Sequence, residues 1–160
     1  MAKQKETKTN AMRAFDAAGI PHKIHTFETD TALSGVEVAA TLGQDPDQVF
    51  KTLVTVGKSG ANYVFLVPVA EELDLRKAAA AVGEKNIHMI KSRELLPLTG
   101  YVHGGCSPVG MKKTFTTVVD ETAQLFDTIM FSAGRIGAQI ECAPDLLQNI
   151  VPITFADITA

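Results

Sequence analysis

The chain has 160 residues, 46% hydrophobic and 21% charged, which excludes a disordered chain and fits one domain over 1–160 with a sizeable core. Fifteen basic against eighteen acidic side chains leave a net charge of -3, which argues against a free-standing nucleic-acid binder and against a DNA partner, though a small local patch stays open. Two cysteines, Cys106 and Cys142, are too few for a disulfide framework; with no signal peptide and no apolar window near ~18 residues, the expectation is a reduced, cytoplasmic protein with no membrane association.

The first eight residues are polar and lysine-rich and are expected to fray. Ala11, Met12, Phe15 and Ala18 recur at helical spacing, with Thr9 or Asn10 to cap the start and Gly19 to end it. His22 to Phe27 reads as a short strand. Ser34 and Glu37 form a capping box ahead of Val38, Ala39 and Leu42, with Gly43 as the stop. Asp45-Pro46 opens a turn, and Phe50–Val56 and Tyr63–Val69 are β-rich runs whose Gly57-Lys58-Ser59-Gly60 connection suits a hairpin.

Asp74 is placed to cap a helix from Leu75 to Val82, ended by Gly83. Ile87–Ile90 reads as a strand, and Ser92 starts a short helix that Pro97 is expected to stop. Phe115–Val119, Ile129–Ser132 and Ala138–Cys142 are strand-like. Glu121–Phe126 reads as a helical turn or two, Pro144 opens a last short helix, and Ile153–Ile158 closes the chain as a strand. Hairpins and short helices break any βαβ rhythm, so the fold class is α+β.

Three segments can carry chemistry. In Phe50-Lys51-Thr52-Leu53, a strand places Phe50, Thr52, Val54 and Val56 on one face and Lys51, Leu53 and Thr55 on the other. Lys51 then either snorkels from an edge or anchors an anionic or carbonyl oxygen in a pocket. Gly104-Gly105-Cys106-Ser107-Pro108-Val109-Gly110, followed by Lys112-Lys113, is either a structural turn or a backbone cradle for an anion, and matches neither a Walker loop nor a dinucleotide fingerprint. Ser132-Ala133-Gly134-Arg135-Ile136-Gly137 is either plain hairpin chemistry or a turn that aims the Ser132 hydroxyl into a cleft.

Weaker signals are His103 with Cys106, a conceivable thiol–imidazole pair, and Glu71-Glu72, which reads as a solvated turn. His22, His25, His88 and His103 lie far apart and the thiols have no ligand spacing, so no metal site is expected.

Taken together, His25-Thr26-Phe27, Asp45 to Leu53, Leu73 to Ala79, Thr99-Gly100-Tyr101, the Gly104–Gly110 loop with its lysines, and Ser132 to Gly137 resemble the YbaK/EbsC family of aminoacyl-tRNA deacylases, related to the editing domain of bacterial prolyl-tRNA synthetases. The resemblance covers nearly the whole chain. It implies a mixed, partly closed β-sheet surrounded by short helices and hydrolysis of the ester joining a wrong amino acid to tRNA(Pro). Cys-tRNA(Pro) is the first expectation. Ala-tRNA(Pro), as in sister groups, and a degenerate module that only binds tRNA or a synthetase are the alternatives.

The resemblance places the pocket lysine on Lys51 and the oxygen-contacting glycines on Gly104 and Gly105. Phe27, Thr52, Ser107, Ser132, Gly134 and Gln139 fall on the substrate-binding side, and Lys112 and Lys113 are candidate tRNA contacts. Two departures stand out: Phe27 replaces a tyrosine and Gln139 an aspartate of the family pattern. No cofactor is implied. With no base beside a nucleophile, the implied mechanism has the bound cysteine's own thiol attack its carbonyl, and prolyl-tRNA synthetase is the implied partner.

Overall fold

Capping chemistry sets the helix boundaries in the computed structural model, which describes residues 8–160. The fraying expected at the N-terminus lies, for residues 1–7, outside the described residues. The helix α1 (Asn10–Ala18) starts where the Thr9 hydroxyl accepts the Met12 N–H and ends on left-handed Gly19. In α2 (Gly35–Leu42) both bonds of the Ser34–Glu37 capping box form, and in α3 (Leu75–Val82) the Asp74 carboxylate accepts the Arg76 and Lys77 N–H groups. Each cap satisfies donors that the first helical turn leaves without partners.

Among the described residues eight strands fill the intervals: β1 (Lys23–Thr26), β2 (Phe50–Gly57), β3 (Asn62–Pro68), β4 (Ile87–Met89), β5 (Thr116–Asp120), β6 (Ile129–Ser132), β7 (Ala138–Cys142) and β8 (Ile153–Ala156). They form a five-stranded sheet in the order β4-β2-β3-β5-β8 and a three-stranded sheet in the order β1-β7-β6. The smaller sheet is antiparallel; in the larger, β2 runs antiparallel to β3 and β4 while β3, β5 and β8 are parallel. A parallel bridge between Val49 and Met130 joins the two sheets, with the Met130 N–H donating to Gln48 O at 3.0 Å. The expected mixed, partly closed sheet takes this form.

Alternation along β2 and β3 divides the apolar interior. Phe50, Val54, Val64 and Leu66 face the larger core with Phe15 of α1, Phe131 and Ile140, while Phe65 and Val67 pack against Ala78 and Ala79 of α3. A third small cluster of Ala39, Val49, Val69 and Met130 seals the seam between the sheets under α2. Removing each large apolar side chain from water stabilises the fold by about 1.5–3 kcal/mol.

One stop signal reads differently in three dimensions. Pro97 does not end the helix after Ser92; a 3-10 turn (Ser92–Glu94) leads into α4 (Leu95–Thr99), which runs on to left-handed Gly100. Pro97 stands in the first turn of α4, where a missing N–H costs no intrahelical bond. The short helices expected at Glu121 and Pro144 are 3-10 turns, Glu121–Leu125 and Pro144–Asn149. No helix among the described residues is long and apolar enough to cross a membrane.

Candidate active site

A gap in the pairing of β2 makes the site. The strand's end is covered by β4 from Thr55 to Gly57, and Ile90 N–H reaches back to Val54 O at 3.3 Å. Its start is held to β6 through the Val49–Met130 bridge. Backbone groups alternate sides along a strand, so those of Thr52, two residues before Val54, point into the uncovered interval. Over that interval lies a pocket of about 460 Å³.

Three segments distant in sequence converge on it. From β2 come Lys51, Thr52 and Leu53; from the glycine loop, His103, Gly104 and Cys106; from β6, β7 and their turn, Ser132, Arg135 and Gln139. Phe27 closes one side after β1, and Leu33, Val36 and Val38, at and within the start of α2, add an apolar wall. Among the residues suggested by sequence, Lys51, Gly104, Phe27, Thr52, Ser132 and Gln139 therefore share one cavity.

Lys51 neither waves in solvent nor sits sealed. Its side chain is 28% exposed, and Nζ lies 3.7 Å from a carboxylate oxygen of Glu72, itself 85% exposed. The solvated turn expected at Glu71-Glu72 thus supplies a pocket residue. On the other face of the strand the Thr52 hydroxyl is buried and has no hydrogen-bond partner among the described residues. Ser132 Oγ accepts the Gly134 N–H at 3.1 Å, which leaves the hydroxyl proton to donate into the cavity.

The two glycines expected to act together divide their work. Gly104 is exposed, has φ 86°, and lines the pocket; a Cβ there would lie 2.8 Å from the Cβ of Ala32. Gly105 is buried, and its N–H already donates to Val102 O at 2.9 Å, so it is not a cradle donor. Its lack of a side chain serves packing, because a Cβ would come within 3.0 Å of the Arg135 backbone. The glycine loop is thereby pressed onto the turn after β6.

Four further sequence candidates fall outside the pocket. Ser107 is fully buried, its hydroxyl accepting the Val109 N–H at 3.3 Å, and it shapes the loop rather than meeting a ligand. Gly134 sits against Thr9 and the ring of Tyr101, where a Cβ would be 2.9 Å from that ring; its contribution is the N–H that orients Ser132. Lys112 donates to Pro97 O at 3.3 Å near the end of α4, a helix-capping role, whereas Lys113 is simply exposed.

A thiol nucleophile does not fit. Burial pushes the Cys106 thiol up to about 12, so it stays protonated near neutral pH. His103, three residues away, is exposed. Tyr101 is likewise pushed up to about 12 by burial and donates to Val109 O at 2.6 Å, which stiffens the loop from beneath.

Sequence reasoning missed Glu72, Arg135, Gln44, and Val36 and Val38 of the α2 wall. Arg135 stood inside a motif read for its glycines. Gln44 pairs with Gln139, and no local pattern announces a contact across 95 residues. The site as built offers an ammonium, two hydroxyls and a strand edge around a small, partly apolar hole. It can grip an ester and receive developing negative charge; among its lining residues no general base stands beside a nucleophile.

Comparison with known proteins gives a consistent set of likenesses. Residues 29–150 match the family model described as the aminoacyl-tRNA editing domain. A protein of Enterococcus faecalis, EbsC, named for a proposed Cys-tRNA(Pro)/Cys-tRNA(Cys) deacylase activity, is 44% identical across 99% of this chain and 98% of its own length. A proline–tRNA ligase of Shouchella clausii is 34% identical over 96 residues, 60% of this chain and 16% of the ligase. Among solved structures, one described as a candidate trans-editing enzyme for prolyl-tRNA synthetase superposes with a TM-score of 0.84 at 28% identity, covering 97% of this chain and 99% of the other.

Proposed function

The chain belongs to the aminoacyl-tRNA editing domain family, and from that footing we propose that it removes wrongly attached amino acids from tRNA(Pro), with Cys-tRNA(Pro) as the favoured substrate. The observation that carries the reading is the meeting of Lys51, Thr52, Gly104 and Ser132, from three separate segments, around one pocket. Residues 1–160 are read as one such domain working in the cytoplasm. Prolyl-tRNA synthetase, whose editing region this chain resembles, is the partner that would deliver the tRNA.

An aminoacyl ester is already activated, so placement and a home for carbonyl charge are most of what catalysis requires. Lys51 is the only cation of the β2 edge and takes the carbonyl oxygen or the adjacent ribose-phosphate. Ser132 donates its free proton to the α-amine side or the terminal ribose, and the Thr52 hydroxyl and edge amide hold the acyl group. The nucleophile comes from the substrate. The cysteine sulfur attacks its own carbonyl carbon, the carbon–oxygen ester bond breaks, and the ribose oxygen leaves with a proton. The products are free tRNA and a cyclic thioester that water then opens. Phe27 in place of a tyrosine and Gln139 in place of an aspartate are compatible with a route that asks no acid or base of either position.

Two measurements test this. Purified protein should hydrolyse Cys-tRNA(Pro) well ahead of Ala-, Ser- and Pro-tRNA(Pro); equal rates on the cysteinyl and alanyl forms would rule out thiol attack. Lys51→Ala should lose at least ~30-fold in kcat/KM, the equivalent of ~2 kcal/mol of transition-state stabilisation. A wild-type rate in that variant would remove Lys51 from the reaction.

A further inference from the structure

Behind the pocket wall two amides clasp each other. Gln44 Nε2–H donates to Gln139 Oε1 at 2.7 Å, and Gln139 Nε2–H donates back to Gln44 Oε1 at 3.0 Å. Gln139 is only 3% exposed and lines the pocket, standing opposite Ser132 of β6 in register. Gln44 follows the glycine that ends α2, and its backbone N–H donates to Ala39 O at 2.8 Å, so its stem is anchored to the helix end. Gln44 does not line the pocket; it reaches the cavity through Gln139.

A primary amide has two N–H donors and two lone pairs. The reciprocal pair uses one of each on both residues, which leaves Gln139 one donor and one acceptor and no charge at any pH. Without Gln44, a buried amide would lose two partners and turn elsewhere to find others. We infer that Gln44 is a positioning residue: by locking the Gln139 amide it holds a neutral hydrogen-bonding edge against the aminoacyl group. The inference rests on the aminoacyl-ester reading of the pocket.

Replacing Gln44 by glutamate gives a partner that pH can switch. A protonated carboxyl donates its O–H to Gln139 Oε1 and accepts the Gln139 N–H, so both bonds survive. An ionised carboxylate only accepts, and sets a lone pair against Gln139 Oε1. Burial and the bonded neutral form both raise the pKa of such a carboxyl, so the pairing is present at acid pH and lost as pH rises.

The probe is adenosine carrying cysteine through a 3′-amide, which resists hydrolysis, with its Kd measured by calorimetry on the full chain. The ratio of Gln44→Glu Kd to wild-type Kd should be near one at about pH 5 and reach about tenfold at about pH 8, while Gln44→Ala weakens binding at both. Thermal unfolding of each variant shows that folded protein is being compared. A Gln44→Glu ratio that is the same at both pH values, or wild-type binding by Gln44→Ala, overturns the proposal. Wild-type protein that binds the probe without hydrolysing mischarged tRNA(Pro) brings down the catalytic reading alone. Failure of the wild type to bind brings down both.

Discussion

Thr52 carries a cost in the folded protein. Its hydroxyl is buried with no partner among the described residues, and a buried polar group in that state is destabilising by about 1–3 kcal/mol. A protein without use for that hydroxyl would be better served by valine, which suits a strand and has nearly the same shape. Thr52→Val should therefore leave thermal stability unchanged or raise it, while kcat/KM on mischarged tRNA(Pro) falls at least about tenfold, one hydrogen bond's worth in the bound state. Thr52→Ser should recover most of the rate. Full activity in Thr52→Val would show that the orphan hydroxyl meets no substrate. Such divergence of stability and rate is expected where a site keeps its polar groups unpaired for a ligand. Gly105 teaches the complementary point. Its sequence context suggested a second cradle amide, yet a four-residue turn to Val102 O satisfies that N–H locally. Which of two adjacent glycines faces a ligand depends on the turn they build, and that turn is closed by packing on Arg135, 30 positions on.

At the level of elements, what was legible in the sequence was whatever short-range chemistry decides. Thr9, Ser34 and Asp74 cap helices as their side chains predict, and β6 and β7 begin and end where their β-rich runs do. What was not legible depends on partners elsewhere along the chain: the gap at Thr52, the Glu72–Lys51 pair, and the Lys112 bond to Pro97 O. The three-stranded sheet holds another such link. Glu141 of β7 accepts hydrogen bonds from the Thr128 hydroxyl, just before β6, and from His25 of β1, so one carboxylate ties all three strands. The Thr128 bond first, and the His25 bond second, hold Glu141 below its usual value of 4.5. A carboxylate whose pKa is lowered by folding contributes stability above the unfolded pKa and loses it as pH falls through the folded value. Glu141→Gln should be less stable than wild type at neutral pH, and the difference should shrink below pH 4.5. Denaturant titrations at about pH 7 and about pH 3.5 check it; a constant difference would mean the carboxylate's charge is irrelevant to the sheet.

For the whole molecule, charge sets how a tRNA can be held. A net charge of -3 on 160 residues offers no basic field to draw in a polyanion. The local patch is the Lys112-Lys113 pair, both exposed, of which Lys112 also donates to Pro97 O. The pocket adds Lys51, and together these cations are enough to meet the terminal nucleotides and little beyond them. Recognition of a whole tRNA from so few contacts is weak, and nothing in a pocket of about 460 Å³ reads an anticodon or acceptor stem. On the proposed reading the tRNA's identity is supplied by another surface, that of the synthetase that charges tRNA(Pro). Each neutralised phosphate on single-stranded RNA contributes about -0.7 to the slope of log K against log salt, so three contacts, at Lys51, Lys112 and Lys113, predict a slope of about -2.1 for the isolated protein. Binding of uncharged tRNA(Pro) and a non-cognate tRNA, measured from about 50 to 200 mM salt, should give that shallow slope and similar affinities for the two. Adding prolyl-tRNA synthetase should then raise deacylation of Cys-tRNA(Pro) over a cysteinyl tRNA of another identity. A steep slope with tight, tRNA(Pro)-selective binding by the protein alone would place the selecting surface on this chain.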